Sequence, residues 1–239
     1  MSVEIYGKNS CQEIIDVKKE IIHAYLMENT NSDFLHLLQR RNVNITILNK
    51  YDFKKRFNGN HQGIVFEIED YRIYQLDEVM TKIDLKNNPL FIMLDGITDV
   101  HNFGAIIRTC EAAGVEGIII PKNRSVRISG VVAKTSSGAI EHIKIIEVVN
   151  LRNTLNKLKD IGFWTVGTSL DAKMDYSEIF VDRPLCVIIG SEGKGISRII
   201  KESVDFNVKI NMAGKTNSLN TSVSTGIIVF DILRKKQNK

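Results

Sequence analysis

From residue 90 onward the chain alternates short apolar runs with helical segments. Six of these runs are LFIMLDG, VEGIIIPK, IKIIEVV, FWTVGTS, PLCVIIGSEG and FNVKINMAG. They are apolar almost throughout, which is typical of parallel strands that are buried on both faces of a sheet. Helical segments such as FGAIIRTCEAAG and LRNTLNKLKDIG separate most of them. The pattern therefore predicts an α/β fold in which helices cover both faces of a parallel sheet.

The first part of the chain predicts a smaller α/β unit. Helical patterns in KNSCQEIIDVKKE and SDFLHLLQRRN alternate with strand-like runs in IIHAYLME, NITIL and GIVFEIEDYRIY, and a basic turn precedes the last of these. Asn9 or Ser10 is a candidate N-cap for the first helix, and Ser32 is one for the second.

A polar and charged stretch separates this unit from the run of buried strands. It ends at Pro89 and predicts a linker or a short connecting helix. We therefore expect an N-terminal domain at 1–72, a linker at 73–88 and a second domain at 89–239.

Charge and cysteine usage narrow the class of protein. The sequence has 32 Lys and Arg against 28 Asp and Glu, a net charge of +4 that permits an acidic partner such as RNA without requiring one. Cys11, Cys110 and Cys186 form no CxxC pair, so neither a zinc site nor a disulfide framework is indicated. The start of the chain has no signal-like apolar region, and no apolar run is long enough to cross a bilayer. We expect a soluble, cytoplasmic protein with reduced thiols.

Three polar loops follow predicted strands, namely DGITDVHNFG at 95–104, GSEGKG at 190–195 and NMAGKTNSLN at 211–220. In open α/β sheets, ligands bind beyond the carboxyl ends of the strands. Glycine lets the backbone approach a ligand closely, and the N-terminus of a following helix favours negative charge. Any one of these loops could be an ordinary turn, but three at equivalent ends of a sheet indicate a binding site.

Two common nucleotide-binding motifs are absent from these loops. Gly214, Lys215 and Thr216 resemble the end of a P-loop, but position 209 is lysine where that motif needs glycine. No GxGxxG follows a strand, so a nucleoside triphosphatase or a nicotinamide dehydrogenase is disfavoured. The five histidines show no metal-ligand spacing, and no metal site is predicted.

Taken together, the three loops resemble a known family. LDGITDVHNFGAIIRTCEAAGV, VIIGSEGKGIS and VKINMAGKTNSLNTSVSTGI are similar to motifs 1, 2 and 3 of the SpoU (TrmH-type) branch of the SPOUT RNA 2′-O-methyltransferases. YGKNSCQEII and HQGIVFEI resemble the N-terminal RNA-binding domain, related to a ribosomal-protein fold, of bacterial 23S rRNA guanosine-2′-O-methyltransferases. The resemblance covers almost the whole chain.

This resemblance implies a fold and partners that periodicity alone does not give. It implies an α/β-knot catalytic domain, with a parallel sheet that ends in a trefoil knot, behind a small N-terminal α/β domain. It also implies S-adenosyl-L-methionine as the cofactor, an RNA substrate and a homodimer with the active site near the subunit interface.

Site residues carry over from the motifs position by position. The implied catalytic residues are Asn102 and Arg108 in motif 1, Glu192 in motif 2, and Ser218 and Asn220 in motif 3, which also includes Ser222. The implied cofactor-binding residues are Thr168, Ser169, Gly190, Ile210 and Leu219.

The family assigns proton uptake from the ribose hydroxyl to the motif 1 arginine, here Arg108. A guanidinium stays protonated in proteins, so an alternative is that Arg108 remains charged, binds an RNA phosphate and stabilises the forming alkoxide. Glu192 would then orient Arg108 or relay the proton. Asn102 and Asn220 are expected to orient the catalytic loop and the ribose.

RNA binding is expected to begin with phosphate contacts from basic side chains. The predicted RNA-binding residues are Lys54, Lys55, Arg56, His61, Arg124 and Arg127, with Lys122 as a further candidate. A solvated charged surface is the alternative for any one of them. A guanosine of 23S rRNA is the favoured substrate. A tRNA ribose, an rRNA adenosine modified for antibiotic resistance, and a non-catalytic RNA-binding role remain alternatives.

Overall fold

The computed structural model describes residues 2–123 and 125–238, and Arg124 therefore lies outside the described residues. The strands are β1 (Ser2–Tyr6), β2 (Ile21–Met27), β3 (Ile45–Leu48), β4 (Ile64–Glu69), β5 (Leu90–Asp95), β6 (Gly117–Pro121), β7 (Lys144–Val148), β8 (Trp164–Thr168), β9 (Met174–Asp175), β10 (Leu185–Gly190) and β11 (Phe206–Lys209). The helices are α1 (Lys8–Asp16), α2 (Ser32–Arg40), α3 (Lys50–Arg56), α4 (Leu76–Met80), α5 (Val100–Ala112), α6 (Gly130–Thr135), α7 (Leu151–Asp160), α8 (Arg198–Lys201) and α9 (Thr221–Gln237). The chain forms two compact units, one from residues up to 72 with 127–141, the other from 73–126 and the residues from 142 onward.

The first unit is built on a four-stranded sheet in the order β1-β4-β2-β3. β4 is antiparallel to both β1 and β2, whereas β2 and β3 are parallel. The apolar faces of the strands and helices are buried in this unit, and Phe53, Phe66 and Leu38 have no exposed surface. Burial of each such side chain contributes about 1.5–3 kcal/mol, so this small sheet has a core of its own.

Local details of the first unit differ from the sequence predictions. Gly7, with φ of 95°, is the N-cap of α1, and Asn31 is the N-cap of α2. The predicted caps at Asn9 or Ser10 and at Ser32 are therefore wrong. Ser10 instead is buried and donates from its hydroxyl to the carbonyl oxygen of Ala133 at 3.1 Å. The basic segment after β3 is the helix α3 rather than a turn.

The second unit is built on a seven-stranded sheet in the order β7-β6-β5-β10-β8-β11-β9. All its neighbouring strands pair in parallel. Every residue of β10 is buried, as the continuous apolar run predicts. From β5, the chain adds β6 and then β7 on one side of the sheet. The strands that come later in the chain are all added on the other side of β5. This reversal creates the kind of switch point at which open α/β sheets bind ligands.

Residues 127–141 belong to the first unit, although the sequence prediction places them in the domain at 89–239. Gly130 lies so close to β1 that an added Cβ would be 2.2 Å from the carbonyl oxygen of Glu4. Lys19 also forms an ion pair with Glu141 at 3.1 Å. Backbone contact and charge pairing therefore hold this segment on the N-terminal sheet.

Residues 73–88, where the sequence predicts a linker or a short connecting helix, contain a short helix and belong to the second unit. They include α4, whose Leu76 and Val79 are buried in the same core as Phe91 and Ile146. Tyr74 forms a parallel bridge with Ile146. This segment is therefore an ordered part of the second unit. In the described ranges, no helix is both long enough and apolar enough to cross a membrane.

Candidate active site

A cavity of about 540 Å³ lies in the second unit, at the carboxyl ends of β8, β10 and β11. Its wall also includes the loop before α9 and the first turns of that helix. The residues around it include Thr168, Ser169, Leu170, Asp171, Ile189, Gly190, Glu192, Lys201, Ile210, Met212, Ser218, Leu219, Thr221 and Ile228. The wall of the cavity thus combines apolar side chains and backbone with a few polar groups, as is typical of small-molecule sites.

The 190–195 loop folds back tightly over the end of β10. The Ser191 amide donates to the Gly195 carbonyl oxygen at 3.2 Å, and the Gly195 amide donates to the Ser191 carbonyl oxygen at 2.9 Å. A Cβ on Gly190 would lie 2.0 Å from the Gly195 carbonyl carbon, a distance that no side chain can accept. Glycine at 190 is therefore required for the loop to form this wall of the cavity.

Hydrogen bonds fix the strand ends around the cavity. Asp95 at the end of β5 accepts from the Ser197 amide at 2.7 Å, and so ties motif 1 to the segment after the 190–195 loop. The Thr168 hydroxyl donates to the carbonyl oxygen of Ile188 at 3.0 Å. The first bond holds the segment after the 190–195 loop at the end of β5, and the second joins β8 to β10.

Motif 1 and motif 3 meet at the starts of two helices. The Asp99 carboxylate caps α5 by accepting from the amides of His101 at 2.7 Å and Asn102 at 2.9 Å, and these bonds lower the pKa of Asp99. Asn220 caps α9, and its Oδ1 accepts from the Ser222 amide at 2.9 Å. The side-chain amide of Asn220 donates to Asn102 Oδ1 at 2.9 Å.

The structure therefore brings together most of the residues singled out from the sequence. All five predicted cofactor residues line the cavity, namely Thr168, Ser169, Gly190, Ile210 and Leu219. Of the predicted catalytic residues, Glu192 and Ser218 also line it. Asn102 and Asn220 lie beside it and bond to each other.

Arg108 is placed differently from these residues. It lies on α5, is exposed, and does not line the cavity within one chain. Its predicted catalytic role therefore requires either a second subunit or a contact made through the bound RNA.

Sequence reasoning missed a polar cluster at the edge of the cavity. Lys201 on α8 donates to both carboxylate oxygens of Asp171, and the Ser169 hydroxyl donates to Asp171 Oδ1 at 2.5 Å. Lys201 and Ser169 together lower the pKa of Asp171 to about 2. The polar run TSLDAK at the end of β8 could have indicated Ser169 and Asp171 as members of a polar cluster. The approach of Lys201 to Asp171 could not be predicted, because it depends on how α8 packs. Within residues 2–123 and 125–238, no cluster of His, Cys, Asp or Glu side chains is arranged as a metal site.

The predicted RNA-binding residues that the structure describes all lie in the first unit, apart from Lys122. Lys54, Lys55 and Arg127 are exposed. Arg56 is held against the protein, because its guanidinium donates to the Tyr25 hydroxyl at 2.7 Å and lies 4.2 Å from the centre of that ring.

His61 is buried and has a packing role in this unit. Its ring lies 4.6 Å from that of Phe53, and its Nδ1 accepts from the Gly63 amide at 3.0 Å. Burial lowers the pKa of His61, and the charges of Lys54 and Lys134 lower it further. A neutral imidazole that already accepts a hydrogen bond is a poor phosphate ligand, so the prediction for His61 finds no support in its surroundings.

Comparison with known proteins identifies the family. Residues 89–230 match the model of the SpoU rRNA Methylase family, and residues 5–74 match that of an RNA 2′-O ribose methyltransferase substrate-binding domain. The chain belongs to the SpoU rRNA methylase family. The predicted family and the predicted class of enzyme, an RNA methyltransferase, are thereby confirmed.

Relatives of this SpoU family member align along nearly its whole length. A TrmH family tRNA/rRNA methyltransferase of Bacillus subtilis (strain 168) is 38% identical over 237 residues, which cover 97% of this chain and 95% of the relative. Another from Staphylococcus haemolyticus (strain JCSC1435) is 35% identical over 239 residues, which cover 98% and 96% of the two chains.

A solved structure confirms the fold class. The SpoU methyltransferase AviRb from Streptomyces viridochromogenes, in complex with the cofactor AdoMet, superimposes with a TM-score of 0.84 at 18% identity. The match covers 100% of this chain and 92% of that one. The predicted α/β architecture, a parallel-sheet domain that follows an N-terminal domain in the sequence, is thereby confirmed.

Proposed function

We propose that this protein transfers a methyl group from S-adenosylmethionine to the 2′-hydroxyl of a ribose in RNA. The observation that supports this most directly is the cavity at the carboxyl ends of β8, β10 and β11. Residues from motifs 2 and 3 and from the end of β8 converge on it, although they are far apart in the sequence. We further propose that the catalytic domain contains the trefoil knot of the family and acts as a cytosolic homodimer.

The cavity fits the proposed cofactor in size and chemistry. A volume of about 540 Å³ falls within the roughly 300–1,000 Å³ of sites for small molecules. Ile189, Ile210 and Leu219 offer apolar contacts to an adenine ring, and the glycine-rich 190–195 loop exposes backbone groups for hydrogen bonds. When bound there, S-adenosylmethionine would supply an activated methyl group on a positively charged sulfonium.

The residues of the chain would position the RNA, and the Glu192 carboxylate would accept the proton that the ribose hydroxyl loses when its oxygen takes the methyl group. Glu192 and Ser218 lie at the cavity, where they can contact the ribose or a group that orients it. The hydrogen bond between Asn220 and Asn102 holds the starts of α9 and α5 next to each other beside the cavity. Alignment of the reacting atoms is the main task, because a well-oriented pair of reactants removes much of the entropic barrier.

Arg108 would complete the site from the partner subunit in the proposed homodimer. Its guanidinium would stay charged, bind an RNA phosphate and stabilise the negative charge that develops on the ribose oxygen. The exposed position of Arg108 on α5 supports this assignment, since a partner subunit or a bound RNA can approach a side chain at the surface.

We propose ribosomal RNA, and most specifically a guanosine of 23S rRNA, as the substrate. The substrate-binding domain at 5–74 and the exposed Lys54 and Lys55 support RNA binding. A tRNA ribose is the second candidate, because relatives are named as tRNA/rRNA methyltransferases.

Transfer of a labelled methyl group tests this function. The protein is incubated with methyl-labelled S-adenosylmethionine and either ribosomal RNA or tRNA that lacks the modification, and the labelled nucleoside is then mapped. We expect label in 23S rRNA on a ribose oxygen. Label in tRNA would favour the second candidate, and label on a base or in neither RNA would reject the proposed activity.

A further inference from the structure

The helix α3 of the first unit presents an unusual outer surface. Its inner side is anchored by Phe53, which is fully buried and packs 5.0 Å from Phe57, measured between ring centres. On the outer side lies Tyr51, which is 75% exposed. Among the residues that the structure describes, no Phe, Trp or Tyr side chain is more exposed.

Three lysines surround this tyrosine. Lys54 and Lys55 follow Tyr51 by three and four positions, which places them on neighbouring parts of the same helix surface. Lys50 precedes it directly. These three lysines and Tyr51 together line one shallow depression, which we call the α3 surface.

The polar groups of the α3 surface are not bound by other side chains of the described residues, although the charge of Lys54 is felt by His61. In the described ranges, none of the four takes part in a side-chain hydrogen bond or an ion pair, in contrast to Arg56, which is bound to Tyr25. The acidic residue of the helix, Asp52, accepts from the Asn49 side chain at 2.7 Å and does not line the depression. The surface therefore combines positive charge with one free aromatic ring.

This combination fits a single-stranded nucleic acid. Lysines bind phosphates without regard to sequence, and an exposed aromatic ring gives a platform on which an unpaired base can stack. Bases inside a duplex are already stacked on each other and cannot use such a ring. An acidic protein segment would use the lysines but would gain little from the ring.

We propose that Tyr51 stacks on an unpaired base of the RNA substrate while Lys50, Lys54 and Lys55 contact the adjacent phosphates. This inference rests on the proposed function and narrows its substrate to RNA with a single-stranded loop, bulge or end at this position. Tyr51 is then a binding residue that the motifs did not indicate, and Arg56 is not part of the contact.

Binding of labelled oligonucleotides to the full-length protein tests the proposal. A single-stranded RNA and the same strand in a duplex are compared by fluorescence anisotropy with wild type, Tyr51→Ala and Tyr51→Phe. We expect Tyr51→Ala to weaken binding of the single strand about tenfold and to leave duplex binding unchanged, because only an unpaired base reaches the ring. Tyr51→Phe should bind like wild type, since it keeps the ring.

Two further variants serve as controls. Ile47→Ala removes another exposed apolar side chain of the same unit, 51% exposed, and should leave binding unchanged. The double variant Lys54→Ala with Lys55→Ala should bind both the single strand and the duplex more weakly. The salt dependence of its binding should also be flatter, because fewer phosphate counterions are released. Melting curves of each variant check that the protein remains folded.

The outcomes separate this inference from the proposed function. If Tyr51→Ala binds the single strand as well as wild type, or loses duplex binding equally, the stacking role is wrong even where methyl transfer to RNA is observed. If methyl transfer is absent but Tyr51→Ala alone loses single-strand binding, the stacking role stands and the proposed reaction fails.

Discussion

The side-chain amide of Asn220 donates to Asn102 Oδ1 at 2.9 Å, which links the starts of α9 and α5. The same Asn220 caps α9 through its Oδ1, which accepts from the amide and the hydroxyl of Ser222 at 2.9 and 2.6 Å. One residue of motif 3 thus secures its own helix and holds motif 1 beside the cavity. Its two roles can be separated by substitution.

Asn102→Ala removes the link between the helices and leaves the cap of α9 intact. We expect its free energy of unfolding to stay within about 0.5 kcal/mol of wild type, because Asn102 is only half-buried. Asn220→Ala also removes the cap and should lose about 1 kcal/mol. Both variants should lower methyl transfer, which is measured beside chemical denaturation curves.

The double variant distinguishes a shared role from two independent ones. If the link positions the site, Asn102→Ala and Asn220→Ala together should lower activity by less than the sum of the separate effects on the activation free energy. Asn102→Asp retains an oxygen acceptor and should retain more activity than Asn102→Ala. Full additivity of the two changes would contradict the coupling.

Gly190→Ala should disrupt the cavity. The added Cβ would lie 2.0 Å from the Gly195 carbonyl carbon and 2.1 Å from the Ile196 amide nitrogen, both parts of the backbone. We expect a loss of at least about 3 kcal/mol of stability, because the loop must move away from the strand end. Binding of S-adenosylmethionine, measured by calorimetry, should be lost with it.

Gly214→Ala is the matched control in the next loop. A Cβ at this position meets nothing within 4 Å. Its stability should remain within about 0.5 kcal/mol of wild type, and cofactor binding should persist. If Gly190→Ala and Gly214→Ala changed stability and cofactor binding equally, the close backbone approach at Gly190 would not be the cause of the loss.

Much of the cavity could be predicted because parallel strands bring their carboxyl ends to one edge of the sheet. Thr168, Gly190 and Ile210 each follow or end an apolar run, so strand prediction alone places them at this edge. Lys201 could not be found in this way. Its approach to Asp171 depends on the position of α8, which no local pattern specifies.

The division of the chain into two units was also hard to predict, because it too depends on packing that no local pattern specifies. Residues 127–141 have ordinary composition, and their helix looks like one more element of the α/β alternation. What assigns them to the first unit is close packing, such as that of Gly130 against Glu4, between residues far apart in the sequence. Such contacts leave no periodic signal.

Acid should remove the contribution of Asp171 to stability. Its pKa is lowered to about 2 by Lys201 and Ser169, from an ordinary value of 3.8, so the ionised form is favoured in the folded protein. The stabilisation is complete above the ordinary value and is lost as the pH falls through the folded value. At neutral pH we expect wild type to have a higher melting temperature than Asp171→Asn. This difference should decrease as the pH is lowered from about 4 to about 2.

A difference in melting temperature that is independent of pH over this range would contradict the account. It would mean that the Asp171 side chain acts through packing or neutral hydrogen bonds. Lys173→Ala is a suitable control, because Lys173 is an exposed charge on the same loop.

Arg108→Ala should lower methyl transfer at least about 100-fold and leave cofactor binding intact, because Arg108 does not line the cavity. Leu219→Trp should fill the cavity and abolish cofactor binding. When the two inactive variants are mixed as dissociated chains and reassociated, half of the randomly paired dimers contain one complete site. Activity should therefore return to about a quarter of wild type.

Mixed dimers without activity would contradict the placement of Arg108 in the partner subunit. Each variant reassociated with itself should stay inactive, which controls for recovery of the single chains. Activity of Arg108→Ala alone within a few-fold of wild type would reject any catalytic role for this residue.

Calorimetric titration with S-adenosylmethionine tests most directly whether the three converging loops form the cofactor site. Wild type and Val149→Trp, a change at an exposed position outside the cavity, should each bind an equimolar amount of cofactor per chain. Folded Leu219→Trp should bind none. Binding by Leu219→Trp with wild-type affinity, or no binding by wild type, would contradict the account.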